Sequence, residues 1–136
     1  HRDLHSFPTR RSSDLTACHR CIPGFMIQGG DPNSKDKPKN TWGIGDQNQT
    51  KVPAEFSDIP HKRGILSTAR RGDDINSATS QFFIMVADSP HLDGQYTVFG
   101  KVIQGMDVAD KIVNVEKEGP QGSAPVKKVE MKIKKK

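Results

Sequence analysis

Apolar runs in this chain are short, and turn-forming residues stand between them. Strand character marks residues 19–22, 25–28, 65–69, 81–86, 97–102 and 126–133. Pro23-Gly24, Gly29-Gly30-Asp31-Pro32, Arg71-Gly72-Asp73-Asp74 and Asp93-Gly94 separate these pieces, through fixed proline φ or permissive glycine backbone. Only Met106–Val113 has a helical period, with Val108, Ala109, Ile112 and Val113 on one stripe and Gly105 ahead of it. Many short strands with a single helix exclude an alternating α/β fold and predict a mainly β architecture, an antiparallel sandwich or barrel. The longest irregular stretch, residues 31–52, is polar and reads as a surface excursion.

With 136 residues and no second composition regime, the chain has room for one domain. No run approaches a membrane span, so no membrane partner is expected. The net charge of +5 suggests nucleic acid until it is divided by position. Residues 1–15 contribute +1, residues 127–136 contribute +5 and the rest sum to −1. In the basic end, Val129, Met131 and Ile133 alternate with Lys128, Glu130, Lys132 and Lys134, the period of a strand with one wet face. A solvated strand face explains the lysines, and no specific nucleic acid is expected.

Residues 1–15 show neither period and no apolar cluster. From His5 to Leu15 they also resemble the translation of a sequencing-library adapter. We read 1–15 as a non-native tail and 16–136 as the domain.

Familiar chemical motifs mostly fail on inspection. Cys18-His19-Arg20-Cys21 has the spacing of redox and zinc sites, but the chain has no other cysteine, and His61 and His91 are isolated. Strand alternation also predicts that the two sulfurs point to opposite faces. No metal is expected. Gly43-Ile44-Gly45 lacks the remainder of a dinucleotide fingerprint. Ser67 and Ser80 stand in no nucleophile elbow, so a triad drawn with His91 and Asp93 has no local support.

Three segments combine into one surface: residues 19–31 (HRCIPGFMIQGGD), 64–69 (GILSTA) and 76–84 (NSATSQFFI), followed by Leu92-Asp93-Gly94 and residues 98–102 (VFGKV). In this order and spacing they resemble the cyclophilin family of peptidyl-prolyl cis-trans isomerases, over essentially all of residues 16–136. The resemblance implies a cyclophilin-like antiparallel β-barrel with capping helices, incomplete because the family's first two strands and first helix are missing. It also implies catalysis of X-Pro isomerisation during protein folding.

That reaction breaks no covalent bond. Amide resonance opposes rotation by ~18–20 kcal/mol. A catalyst therefore needs an apolar slot for the proline ring, polar groups for the flanking peptide and a donor to the prolyl nitrogen, favouring the twisted state over the planar one. The resemblance makes Arg20 the catalytic donor, a role that suits a permanently charged, rigid fork. It assigns the proline pocket to Phe25, Met26, Phe83 and Leu92, and substrate contacts to Gln28, Ala69, Arg70 and Gln81. Parity agrees: Phe82, Ile84 and Val86 face one way into the core, and Gln81, Phe83 and Met85 the other.

His91 stands where many eukaryotic members carry tryptophan, and Tyr96 where they carry histidine. Both complete the substrate-binding set, and both resemble bacterial members. Arg70 replaces a common asparagine, and Cys18 and Cys21 replace an aromatic and an aliphatic residue. The expectation is a monomeric, cofactor-independent, cytoplasmic isomerase acting on proline-containing peptides and on unfolded or folding proteins. The alternative is a noncatalytic proline-binding or chaperone-like module that makes no use of Arg20.

Overall fold

The computed structural model describes residues 16–45, 49–118 and 122–130. Residues 1–15, expected to be a tail, and the last lysines of the basic end lie outside the described residues. Five strands form one antiparallel sheet: β1 (Arg20–Ile22), β2 (Met26–Gly29), β3 (Ile65–Thr68), β4 (Phe82–Met85) and β5 (Val98–Lys101), in the order β1-β2-β4-β3-β5. Four of them fall within runs expected to be strands, and β2 extends one residue past its run, to Gly29. β1 and β5 are its two edges, and among the described residues they do not join, so the strands make an open sheet instead of a closed barrel.

The turns act as the composition predicts. Pro23-Gly24 reverses the chain between β1 and β2, with Gly24 at φ +74° and the Phe25 N–H donating to the Ile22 carbonyl at 3.0 Å. Alternation then sorts the side chains onto two faces. One carries Ile27, Leu66, Phe82, Ile84, Val86 and Phe99, and a helix at Met106–Val113 packs on it through Ala109 and Val113. Val108, expected on the buried stripe, is 52% exposed. The other face carries Met26, Ile65, Phe83 and Met85, with Leu92 from a 3-10 turn (Pro90–Leu92). The expected separation of Phe82, Ile84 and Val86 from Phe83 and Met85 is therefore observed.

Residues 31–45 are less irregular than their composition suggests. They hold a one-turn helix (Asn33–Asp36) and a 3-10 turn (Lys39–Thr41). The organiser is Asp31, fully buried, whose carboxylate accepts the N–H groups of Asn33, Gly43 and Gly45 at 3.0, 2.7 and 2.9 Å. Of the strand expected at 126–133, residues 131–133 lie outside the described residues; within 126–130 there is an isolated bridge between Ala17 and Glu130, with Cys18 N–H donating to the Val129 carbonyl at 3.0 Å. A second sheet of two short strands, β6 (Lys117–Glu118) and β7 (Ala124–Pro125), precedes it and has no sequence signal.

One local irregularity corrects the sequence reading. Arg20 pairs with Gln28, and the N–H of His19 also donates to the Gln28 carbonyl at 3.0 Å. Two residues thus oppose one, which is a β-bulge. The extra residue cancels the alternation between positions 18 and 21. Cys18 and Cys21 consequently lie together in the core at 1% and 0% exposure, not on opposite faces.

Candidate active site

Register alone brings the principal residues into line. Arg20 is opposite Gln28, Gln28 opposite Phe83, and Phe83 opposite Ser67, so four strands contribute one row across a single face. Around this row opens a cleft of about 130 Å³, lined by Arg20, Phe25, Met26, Gln28, Ala69, Arg70, Phe83, Leu92 and Tyr96. Two further predicted residues adjoin it. Gln81 accepts a hydrogen bond from Gln28 Nε2 at 3.3 Å and donates through Nε2 to the Gly43 carbonyl at 3.0 Å. His91 stacks on Phe25 with centroids 5.7 Å apart.

The bulge beneath Arg20 is the device that aims it, as bulges near sites commonly do. Its Nε is buried and has no hydrogen-bond partner. Such a donor carries a desolvation cost unless something outside the chain accepts from it. Phe25, Met26, Phe83 and Leu92 form one apolar cluster in the same lining, so the cleft joins an apolar wall to the cationic side chains of Arg20 and Arg70. Arg70 closes the rim: its guanidinium lies 4.7 Å from the Tyr96 centroid and Nε donates to the Gln95 carbonyl at 3.0 Å. Tyr96 in turn meets Phe83 edge-on at 5.4 Å.

Behind Phe83 lies a group the sequence does not disclose. His61 is 1% exposed and stacks on Phe83 at 6.0 Å. Its Nδ1 is 3.2 Å from Asp93 Oδ1 and its Nε2 is 3.2 Å from Ser67 Oγ. These are the residue types of a hydrolytic triad, with His61 in the place that the sequence would have offered to His91. Ser67 is fully buried, however, and its hydroxyl donates to the Thr97 carbonyl at 2.9 Å, so no substrate reaches it. The group braces the aromatic wall. A sequence signal was absent because His61 and Asp93 come from irregular segments. Among the described residues no cluster of His, Cys, Asp and Glu side chains could hold a metal.

His19, on the bulge beside Arg20, packs against Gly43, where an added Cβ would meet the ring at 3.0 Å. Burial pulls its pKa down to about 4; Asp31 acts in the opposite direction and Arg20 in the same. The unfolded ring takes a proton near pH 6.5, whereas the folded one stays neutral down to about 4. Stability from this ring is therefore complete above pH 6.5 and is lost as pH falls through that window, by about 3 kcal/mol in all. Denaturant titrations from pH 7 to pH 4 should show this slope, and His19→Gln should flatten it.

A family model described as cyclophilin type peptidyl-prolyl cis-trans isomerase/CLD matches residues 5–135. The chain belongs to that family. A Brucella abortus protein named "Probable peptidyl-prolyl cis-trans isomerase" is 51% identical over 100 residues, covering 71% of this chain and 50% of that protein. Peptidyl-prolyl cis-trans isomerase A of Dickeya dadantii is 46% identical over 121 residues, covering 84% of this chain and 60% of the relative. The chain thus spans about half the length of the Brucella relatives. A cyclophilin type isomerase of Cryptosporidium parvum, crystallised in the presence of the dipeptide Ala-Pro, superposes with a TM-score of 0.74 at 29% identity, over 92% of this chain and 76% of that one. The cyclophilin fold expected from the motifs is the fold observed.

Proposed function

We propose that this cyclophilin accelerates cis-trans isomerisation of X-Pro bonds in peptides and in unfolded or folding proteins, with Arg20 as donor to the prolyl nitrogen. The observation that carries the reading is the buried, unpartnered Arg20 Nε in the same cleft as the apolar wall of Phe25, Met26, Phe83 and Leu92. The apolar residues take the proline ring. Gln28, Gln81, Ala69 and Arg70 hold the flanking backbone, and His91 and Tyr96 shape the rim. As the nitrogen pyramidalises it gains a lone pair that the planar amide lacks, so an Arg20 hydrogen bond strengthens in the twisted state. The aromatic walls contribute ring contacts without charge, which suits a proline ring in any sequence context. The reading includes a monomer in the cytoplasm, in keeping with two free cysteines. Among the described residues no helix is long and apolar enough to cross a membrane.

Arg20→Ala separates catalysis from mere binding. It should lower kcat/KM for an X-Pro test peptide by about a hundredfold, the usual effect of deleting one preorganised donor. Affinity for the same peptide should change much less, because the apolar wall is untouched. Equal losses of affinity and rate, or an unaltered rate, would favour the noncatalytic module.

A further inference from the structure

Cys18 and Cys21 take no part in the cleft, yet the bulge sets them side by side. Both are free, both are essentially inaccessible, and both belong to the same core cluster. Between them in sequence, on the bulge itself, are His19 and Arg20. The thiols are thus the rear of the turn of chain whose front is the candidate catalytic donor. We propose that Cys18 and Cys21 form a reversible disulfide by exchange with a small-molecule disulfide, and that closing it shifts the bulge and withdraws Arg20 from the cleft.

The two sulfurs are not equivalent. The neighbouring Cys18 thiol and the cationic Lys117 hold the Cys21 pKa below the ordinary thiol value, against the effect of burial. The neighbouring Cys21 and burial push Cys18 up. Cys21 is therefore the attacking thiolate. It attacks one sulfur of the small disulfide, whose S–S bond breaks and releases one thiolate; this takes up a proton. Cys18 then loses its proton and attacks the Cys21 sulfur of the mixed disulfide, releasing the second thiol. The protein loses two hydrogens and is oxidised, and one small disulfide becomes two thiols.

Access lies under the edge of β1. Cys21 N–H donates to the Ser123 carbonyl at 2.7 Å and Cys18 N–H to the Val129 carbonyl at 3.0 Å, so the C-terminal segment covers the pair, and opening that edge exposes it. The two sulfurs must approach to ~2.05 Å to become a disulfide. The bulge is the irregular element between them and absorbs the change. Misplacing a reacting group by ~1 Å costs about a hundredfold in rate.

The rate effect rests on the proposed role of Arg20; the bond itself does not. The test equilibrates the full chain in glutathione buffers from reducing to oxidising and reads three signals: peptide mapping of thiols and disulfides, the Arg20 Nε–H resonance, and X-Pro relaxation. The expected result is a Cys18–Cys21 disulfide two hydrogen masses below the reduced peptides, a displaced Arg20 resonance and a rate at least tenfold lower, all restored by dithiothreitol. Cys21→Ala should abolish all three responses, and Cys18→Ala should stall as a glutathione adduct on Cys21. Thiols that stay unpaired in the most oxidising buffer overturn the proposal. So does a disulfide that leaves the Arg20 resonance in place. If the reduced chain shows no isomerase activity, the proposed function fails, and the mapping and the resonance still decide the redox pair.

Discussion

Gly30→Ala is expected to destabilise the fold by about 4 kcal/mol, from left-handed backbone strain and overpacking together. Gly30 lies at φ +93°, and a Cβ there would stand 2.3 Å from the Ser80 carbonyl oxygen and 2.9 Å from Phe82 Cδ1. Neither neighbour can retreat. The Ser80 hydroxyl donates to the Gly30 carbonyl at 2.6 Å, tying the two backbones together, and Phe82 is among the most deeply buried side chains. Gly24 supplies the control, because its φ is +74° but nothing lies within 4 Å of an added Cβ. Gly24→Ala should therefore cost only the backbone term, about 1 kcal/mol. Thermal melts of the two variants should differ by roughly 10 °C for a chain of this size. Similar melting temperatures would mean that the strand-end contact at Gly30 is looser than described.

Asp31→Ala should have an effect of similar size and also reach the cleft. Its carboxylate accepts three backbone N–H groups while fully buried, and alanine would leave all three unpaired. Charge-assisted hydrogen bonds of this kind are individually strong, and the combined loss is about 4 kcal/mol because such effects are not additive. Asp31→Asn keeps one acceptor oxygen and should cost about half as much. The segment released carries Gly43, which contacts His19 and accepts from Gln81 Nε2. Peptide KM should consequently rise in whichever Asp31 variant remains folded. An unchanged KM would show that residues 31–45 do not support the substrate-facing side chains.

Much of this organisation was legible in the residues. The five strands of the main sheet fall where short apolar runs stand between turn formers, because strands buried on both faces, as β3 and β4 are, read as continuous apolar runs. Met106–Val113 was equally plain, since no other segment repeats at the helical period. The row from Arg20 to Phe83 was reachable only through motifs, as register between β1, β2 and β4 depends on pairing that no local pattern encodes. The bulge at His19 and Arg20 was not legible at all. It arises from cross-strand hydrogen bonds, and missing it turned the expected positions of Cys18 and Cys21 around. His61 escaped for a related reason: its partners Ser67 and Asp93 are brought to it by a strand and a turn. Asp31, in contrast, looked like an ordinary turn residue, and only its burial reveals that it organises the segment up to Gly45.

The central claim is that a donor of fixed geometry at Arg20 acts on the prolyl nitrogen. Exchange NMR on an Ala-Pro-containing peptide, with substoichiometric amounts of the full chain and of Arg20→Lys, tests it most directly. Lysine keeps the charge but replaces the planar fork with a mobile point donor. The account predicts cis-trans exchange well above the uncatalysed rate with the native chain, and at least a tenfold loss with Arg20→Lys. Exchange no faster than in buffer alone, or equal exchange with both proteins, would contradict it.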